Sequence, residues 1–179
     1  MPGSAPSRRA AASAANADAW LALDRQLCFA LYSTSLAMTR LYKPLLAPLG
    51  LTYPQYLVML ALWQQDAQTV GALGERLALD SGTLTPLLKR LALQGLLLRV
   101  RDATDERRVI ARLTDAGRAL KKLARRVPPQ VAEASGCSLD ELAGLTGRLA
   151  TLRDALAAGP PPPDSLPAVA SSTKNAFLP

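Results

Sequence analysis

The chain of 179 residues carries two cysteines, Cys28 and Cys137, and no histidine. The missing histidine removes Ser-His and Cys-His nucleophilic catalysis, histidine-ligated zinc and most general acid–base schemes. Thiol chemistry remains. A thiolate is a nucleophile and an oxidation target, whereas a buried cysteine is a small hydrophobe. Cys28 sits in Leu27-Cys28-Phe29-Ala30-Leu31, and its residue types leave both readings open. Cys137, between Gly136 and Ser138, is expected to be exposed and lies directly ahead of the capping box Ser138-Leu139-Asp140-Glu141. A helix N-terminus there favours a thiolate; an incidental surface cysteine is the alternative. In a reducing compartment neither thiol is expected to form a structural staple. No cofactor-binding or metal-ligating set is expected.

A second constellation carries binding. Asp80-Ser81-Gly82-Thr83-Leu84-Thr85-Pro86-Leu87-Leu88-Lys89-Arg90 reads as a helix with Ser81 as its N-cap. Leu84, Leu87, Leu88 and Leu91 recur at helical spacing and would face a core. The opposite face shows Thr83, Thr85, Lys89 and Arg90: short hydroxyls suited to a major groove, then cations suited to phosphates. Gly95 is a C-cap candidate, and two strand-like runs follow, Leu97–Arg101 and Val109–Leu113, with a charged tip at 102–108. A helix followed by a hairpin with arginines at its tip has the pattern of a winged helix-turn-helix on DNA. A solvated helix face and a charged turn would use the same residue types. Charge distribution separates the two. The chain has 21 Lys+Arg against 14 Asp+Glu, net +7; residues 76–126 hold 13 basic and 5 acidic residues, leaving −1 for the remainder. Positive charge concentrated on one segment is the electrostatic footprint of phosphate contact.

Positioning these residues falls to the rest of the chain. Apolar residues make up 49% and aromatics only 4%, so the core is expected to be rich in leucine and alanine, which suits helices. Trp20, Leu23, Leu27, Leu31, Met38, Leu41 and Leu45 predict a helix over 18–46, ended by Pro44, Pro48 and Gly50. Thr52-Tyr53-Pro54-Gln55 has capping-box form and opens a second helix through Leu57, Leu60 and Trp63. Thr69 caps a short helix over 70–79 with Leu73 and Leu77 inward, and Asp80-Ser81 makes the turn into the reading helix. Thr114 caps a helix carrying Ala116, Leu120, Leu123 and Val127, expected to end at Pro128-Pro129. The last helix sets Leu139, Leu142, Leu145, Leu149, Leu152 and Leu156 on one stripe.

The expected architecture is mainly α with a small β-wing. A domain over 18–157 holds a DNA-binding part at 52–113 and dimerisation helices at 18–50 and 114–157, between disordered tails at 1–17 and 158–179. The first and last helices carry leucines beyond the needs of a compact winged helix, so a second copy is the expected partner. A monomeric core closed by the same stripes is the alternative. No apolar run approaches 18 residues and the N-terminus lacks a signal-peptide core, so a cytoplasmic location without membrane contact is expected.

Leu27-Cys28-Phe29-Ala30-Leu31-Tyr32, Tyr42-Lys43-Pro44-Leu45-Leu46, Leu51-Thr52-Tyr53-Pro54-Gln55-Tyr56 and the stretch from Leu79 to Arg90 resemble the MarR family of dimeric winged-helix repressors, and more narrowly its organic-hydroperoxide-sensing OhrR branch. Asp105-Glu106-Arg107 matches the family's Asp-x-Arg wing signature. The resemblance spans about residues 23–156. It implies that Cys28 is the peroxide sensor and that Tyr42 and Tyr53 of the partner subunit hydrogen-bond its sulfur. Phenolic donors stabilise a thiolate, so the physics agrees. Leu27, Phe29 and Leu31 would offer an apolar approach suited to alkyl or lipid hydroperoxides. The resemblance further implies a two-cysteine switch, with Cys137 from the other subunit resolving the oxidised Cys28 into an intersubunit disulfide. On pseudo-palindromic operator DNA it implies that Ser81, Thr83, Thr85, Pro86 and Arg90 face the major groove or its phosphates. Lys89 would contact backbone, and Arg107, beside Asp105, would enter the minor groove. Two rivals stand beside this: a MarR-type repressor released by a small aromatic ligand with incidental cysteines, and a thiol peroxidase using Cys28.

Overall fold

The computed structural model describes residues 19–102, 105 and 108–159. The expected tails at 1–17 and beyond Gly159, and the wing-tip residue Arg107, lie outside the described residues. The chain divides into two compact units, the first ending at Ser135 and the second beginning at Gly136.

The first unit opens with a 3-10 turn, Leu23–Arg25, then helix α1, Leu27–Leu46. The predicted continuous helix from residue 18 is therefore interrupted. Gln26 is extended (φ −83°, ψ 113°), and its carboxamide donates to the Trp20 and Ala22 carbonyls. A side chain that satisfies backbone carbonyls in this way competes with the helix ladder. Gly50, at φ +66°, closes the connection after α1, a left-handed conformation that glycine adopts without a Cβ penalty. Thr52 then caps α2, Tyr53–Gln64. Seven of its twelve residues are buried, including Val58, Met59 and Leu62, which makes it the central helix of this unit.

Thr69 caps α3, Val70–Leu77, by accepting from the Ala72 N–H. Ala78, at φ +52°, ends that helix two residues earlier than predicted. Next comes α4, Ser81–Leu93, whose Leu84, Leu88 and Leu91 are fully buried as the spacing required. Its N-cap is Asp80 rather than Ser81. The Asp80 carboxylate accepts from the Thr83 N–H at 2.9 Å and the Thr83 hydroxyl at 2.8 Å, leaving Ser81 as the first helical residue. An anionic cap answers both the orphan donors and the positive helix end.

Strands β2, Leu97–Arg101, and β3, Val109–Leu113, fall where the sequence put them. A two-residue strand, β1, Gln68–Thr69, adds to β3, so the described strands form one antiparallel sheet in the order β1-β3-β2. Leu97, Ala111 and Leu113 turn inward, while Leu98 pairs with Arg112 on the outer face. Thr114 caps α5, Asp115–Ala124. Gly117 is required here, because a Cβ would stand 2.0 Å from the Leu96 carbonyl oxygen. The Trp63 indole N–H donates to the Gly117 carbonyl at 2.8 Å, which ties α5 to the central helix.

Pro128 and Pro129 do not end a helix; they lie in the first turn of a separate one, α6, Val127–Ser135. First-turn N–H groups have no intrahelical acceptor, so proline loses nothing there and presets φ. The second unit contains α7, Leu139–Ala158, which takes in the first residue of the expected tail. Ser138 caps it reciprocally with Glu141, as read from the sequence. No α7 residue is buried, and Leu139, Leu145, Leu149 and Leu156 are exposed.

Candidate nucleic-acid interface and thiol site

The reading helix α4 buries one face and presents the other. Ser81, Thr83, Pro86, Lys89 and Arg90 are exposed, and Thr85 is half-buried. The Thr83 hydroxyl donates to Asp80, so toward a base edge it can act only as an acceptor. That same bond, followed by the backbone bond from Thr83, holds the Asp80 carboxyl below the usual carboxylate range. Pro86 has no N–H to give the Gly82 carbonyl, which leaves that acceptor available at the exposed N-terminal end of the helix. On the wing, Asp105 is exposed. Arg99, Arg101, Arg108 and Arg112 are exposed as well, cations that the sequence reading counted in its charge sum but did not name as site residues. Strand alternation signals Arg112, between the buried Ala111 and Leu113; for Arg99, Arg101 and Arg108 the only signal was the local concentration of charge.

Cys28 is the second residue of α1 and is exposed in the single chain. Leu27, Phe29 and Leu31 around it are exposed too. Tyr42, in the same helix, stacks at a tilt on Tyr53, with ring centroids 4.7 Å apart, and Tyr56 lies 6.0 Å from Tyr42. Burial, with smaller contributions from Tyr53 and Tyr56, pushes the Tyr42 phenol up to about 12. Burial also raises Tyr53 and Tyr56. These phenols therefore stay protonated at neutral pH and can donate. Fourteen residues of helix separate Cys28 from Tyr42, roughly 21 Å at 1.5 Å per residue. The chain's own Tyr42 is out of hydrogen-bond reach of its own sulfur.

Cys137 is partly exposed and directly precedes the Ser138 cap. Glu141 accepts from the Ser138 N–H at 2.7 Å and from its hydroxyl at 2.8 Å, and these bonds hold its carboxyl below the usual range. An anion thus already meets this helix end. Among the described residues no cluster of three or more His, Cys, Asp or Glu could hold a metal, and no single helix is long and apolar enough to cross a membrane. A cavity of about 250 Å³ between α2 and α5 has Tyr56, Leu60 and Trp63 in its wall, with Lys121 and Arg125 beside them.

The transcriptional regulator SarA/Rot family matches residues 40–123. The HTH-type transcriptional regulator TtmR of Methylorubrum extorquens is 52% identical over 134 residues, 75% of this chain and 69% of the relative. The organic hydroperoxide resistance transcriptional regulator of Bacillus subtilis is 48% identical over 134 residues, 75% of this chain and 91% of the relative. Among solved structures, AbfR of Staphylococcus epidermidis is 36% identical, covers 75% of this chain and 92% of its own, and superposes with a TM-score of 0.64. Reduced AbfR bound to DNA gives 36% identity, 75% and 94% coverage and a TM-score of 0.57. AbfR with its disulfide formed gives 36%, 78% and 98%, and 0.55. These relatives are transcriptional regulators rather than enzymes, and with the three-stranded wing and the exposed face of α4 they show that this chain belongs to the MarR family of winged helix-turn-helix transcriptional regulators.

Proposed function

We propose that this regulator is an organic-hydroperoxide sensor that represses transcription as a reduced dimer. The observation that carries this reading is an exposed Cys28 with apolar neighbours in a chain whose paired phenols remain donors. The similarity to the Bacillus subtilis hydroperoxide regulator supports it. In the reduced dimer, Ser81, Thr83, Thr85, Pro86 and Arg90 meet the major groove or its phosphates, Lys89 a phosphate, and Arg107 beside Asp105 the minor groove of a pseudo-palindromic operator. Tyr42 and Tyr53 of the partner subunit donate to the Cys28 sulfur, consistent with the helix length that separates Tyr42 from its own Cys28.

The thiolate attacks one oxygen of the hydroperoxide O–O bond. The S–O bond forms, the O–O bond breaks, and the alkoxide leaves with a proton as alcohol, giving Cys28 sulfenic acid. The thiol of Cys137 of the partner subunit displaces the sulfenic hydroxyl as water and leaves a disulfide. The two DNA-reading heads then change spacing. A palindromic site needs both at once, so losing one half-site removes most of the avidity. Gel shift of the operator before and after cumene hydroperoxide, with non-reducing gels in parallel, tests this. Wild type loses binding and gains a dimer-sized band; Cys28→Ser shows neither, and Cys137→Ser lacks the band. Release that persists in Cys28→Ser overturns the sensor role.

One observation favours a second reading. The pocket that Tyr56 and Trp63 line beside Lys121 and Arg125 offers aromatic faces and positive charge, which suit a small aromatic anion. Release of wild type and Cys28→Ser alike by such a ligand, without peroxide, would select it.

A further inference from the structure

A line of side-chain carboxamides joins the recognition helix to the connection between α1 and α2, directly ahead of Tyr53. Tyr42 and Tyr53 flank the connection between α1 and α2. Within it, the Gly50 carbonyl accepts from Gln94 Nε2 at 3.0 Å. Gln94 Oε1 accepts from Gln55 Nε2 at 3.3 Å. Gln55 Oε1 in turn accepts from the Thr52 N–H at 2.9 Å and from the Thr52 hydroxyl at 3.1 Å. Gln94 is also the C-cap of α4, and its backbone N–H donates to the Arg90 carbonyl at 3.0 Å. One side chain at the end of the reading helix thus holds the connection ahead of Tyr53 directly at Gly50 and, through Gln55, at Thr52.

Burial makes this grip specific. Gln55 is only 4% exposed, so its amide has little access to water, and every buried side-chain polar atom among the described residues has a partner. The Gln55–Gln94 bond pairs this nearly inaccessible amide with an exposed side chain, on the scale of one neutral hydrogen bond. The leucines of α4 also pack in this core, but their apolar burial is non-directional, whereas hydrogen bonds between paired donors and acceptors are directional. The carboxamides hold one register.

We infer that Gln55 and Gln94 are positioning residues that transmit displacement of the Tyr42–Tyr53 pair to the recognition helix. By linkage they also transmit DNA engagement back to that pair. The inference rests on the proposed peroxide function for the signal carried, and on the geometry alone for the connection.

The test uses full-length reduced protein and amide hydrogen exchange over residues 50–56, with and without operator DNA. Gln94 is exposed, so Gln94→Ala is expected to fold, checked by thermal melting. DNA slows exchange in this segment about fivefold in wild type and less than twofold in Gln94→Ala. Fivefold corresponds to about 1 kcal/mol, the scale of one neutral hydrogen bond. Gln55→Met also breaks the Gln55–Gln94 bond, together with the two bonds that Thr52 donates, and keeps the bond from Gln94 to the Gly50 carbonyl; it too brings the DNA-dependent slowing below the wild-type value. Absence of this protection in wild type, or its persistence in Gln94→Ala, overturns the relay.

A peroxide arm reads the consequence. The ratio of oxidised to reduced operator Kd falls about fivefold in Gln94→Ala, the same hydrogen-bond scale, while reduced affinity and the rate of Cys28 oxidation stay within twofold. Wild-type binding that ignores peroxide defeats the sensor function, and the exchange data still decide the relay.

Discussion

Tyr42 shows how local environment decides what one residue can do. A phenol near its usual value of 10.0 would begin to ionise in mild alkali; burial pushes this one up to about 12. The folded state therefore prefers the protonated phenol. Its contribution to stability is complete below pH 10 and is lost as pH rises toward 12. Thermal melts across that window should fall more steeply for wild type than for Tyr42→Phe; parallel curves would mean the phenol is not the group that titrates. Residue type alone could not settle Cys28, because the same sequence neighbourhood suits a buried hydrophobe or a reactive thiol. Its exposure on α1 in the single chain is what the fold adds. Asp80 and Ser81 are both good caps, and the choice between them depended on which side chain reached the Thr83 N–H.

The reading helix was the most legible element. Leucines at 84, 88 and 91 fixed its buried face, and the remaining face followed from helical period. Lys89, on that face, is assigned a phosphate. Each phosphate neutralised contributes about 0.9 to the slope of log K against log salt, so Lys89→Ala in both subunits should flatten it by about 1.8. Fluorescence anisotropy from 50 to 200 mM salt would measure this, and an unchanged slope would take Lys89 off the phosphate backbone. Pro128 and Pro129 were misread as a stop, because a proline pair in sequence does not tell whether it ends one helix or begins the next. Strand β1 was missed for a related reason. Two residues show no periodicity, and Gln68–Thr69 is a strand only because β3 lies beside it.

At the scale of the molecule, α1 and α7 each carry exposed leucines, which the expected second copy would cover. Leu27 and Leu31 on α1 and Leu145 and Leu149 on α7 are exposed in the single chain, the last two at 50% and 46%. Clustered exposed leucines of this kind mark interaction surfaces. Leu145→Glu with Leu149→Glu should yield a monomer by sedimentation velocity and weaken operator binding at least a hundredfold through lost bivalency. A variant that remains dimeric would place the subunit contact elsewhere.

Sequence by itself determined the parts of this protein that depend on period and local chemistry. Leucine spacing, the Thr52, Thr69, Thr114 and Ser138 caps and the strand-like runs of the wing specify elements whose hydrogen bonds and burial are settled over short stretches of chain. The absence of histidine and the placement of positive charge narrowed the chemistry to thiols and DNA without any coordinates. Tertiary structure decided what depends on residues far apart in the chain. Tyr42 and Tyr53 stack because α1 and α2 fold back on each other at Gly50, and burial there keeps their protons on. Gln55 meets Gln94 across 39 positions, a contact no local pattern encodes, since either side chain could equally have been solvated.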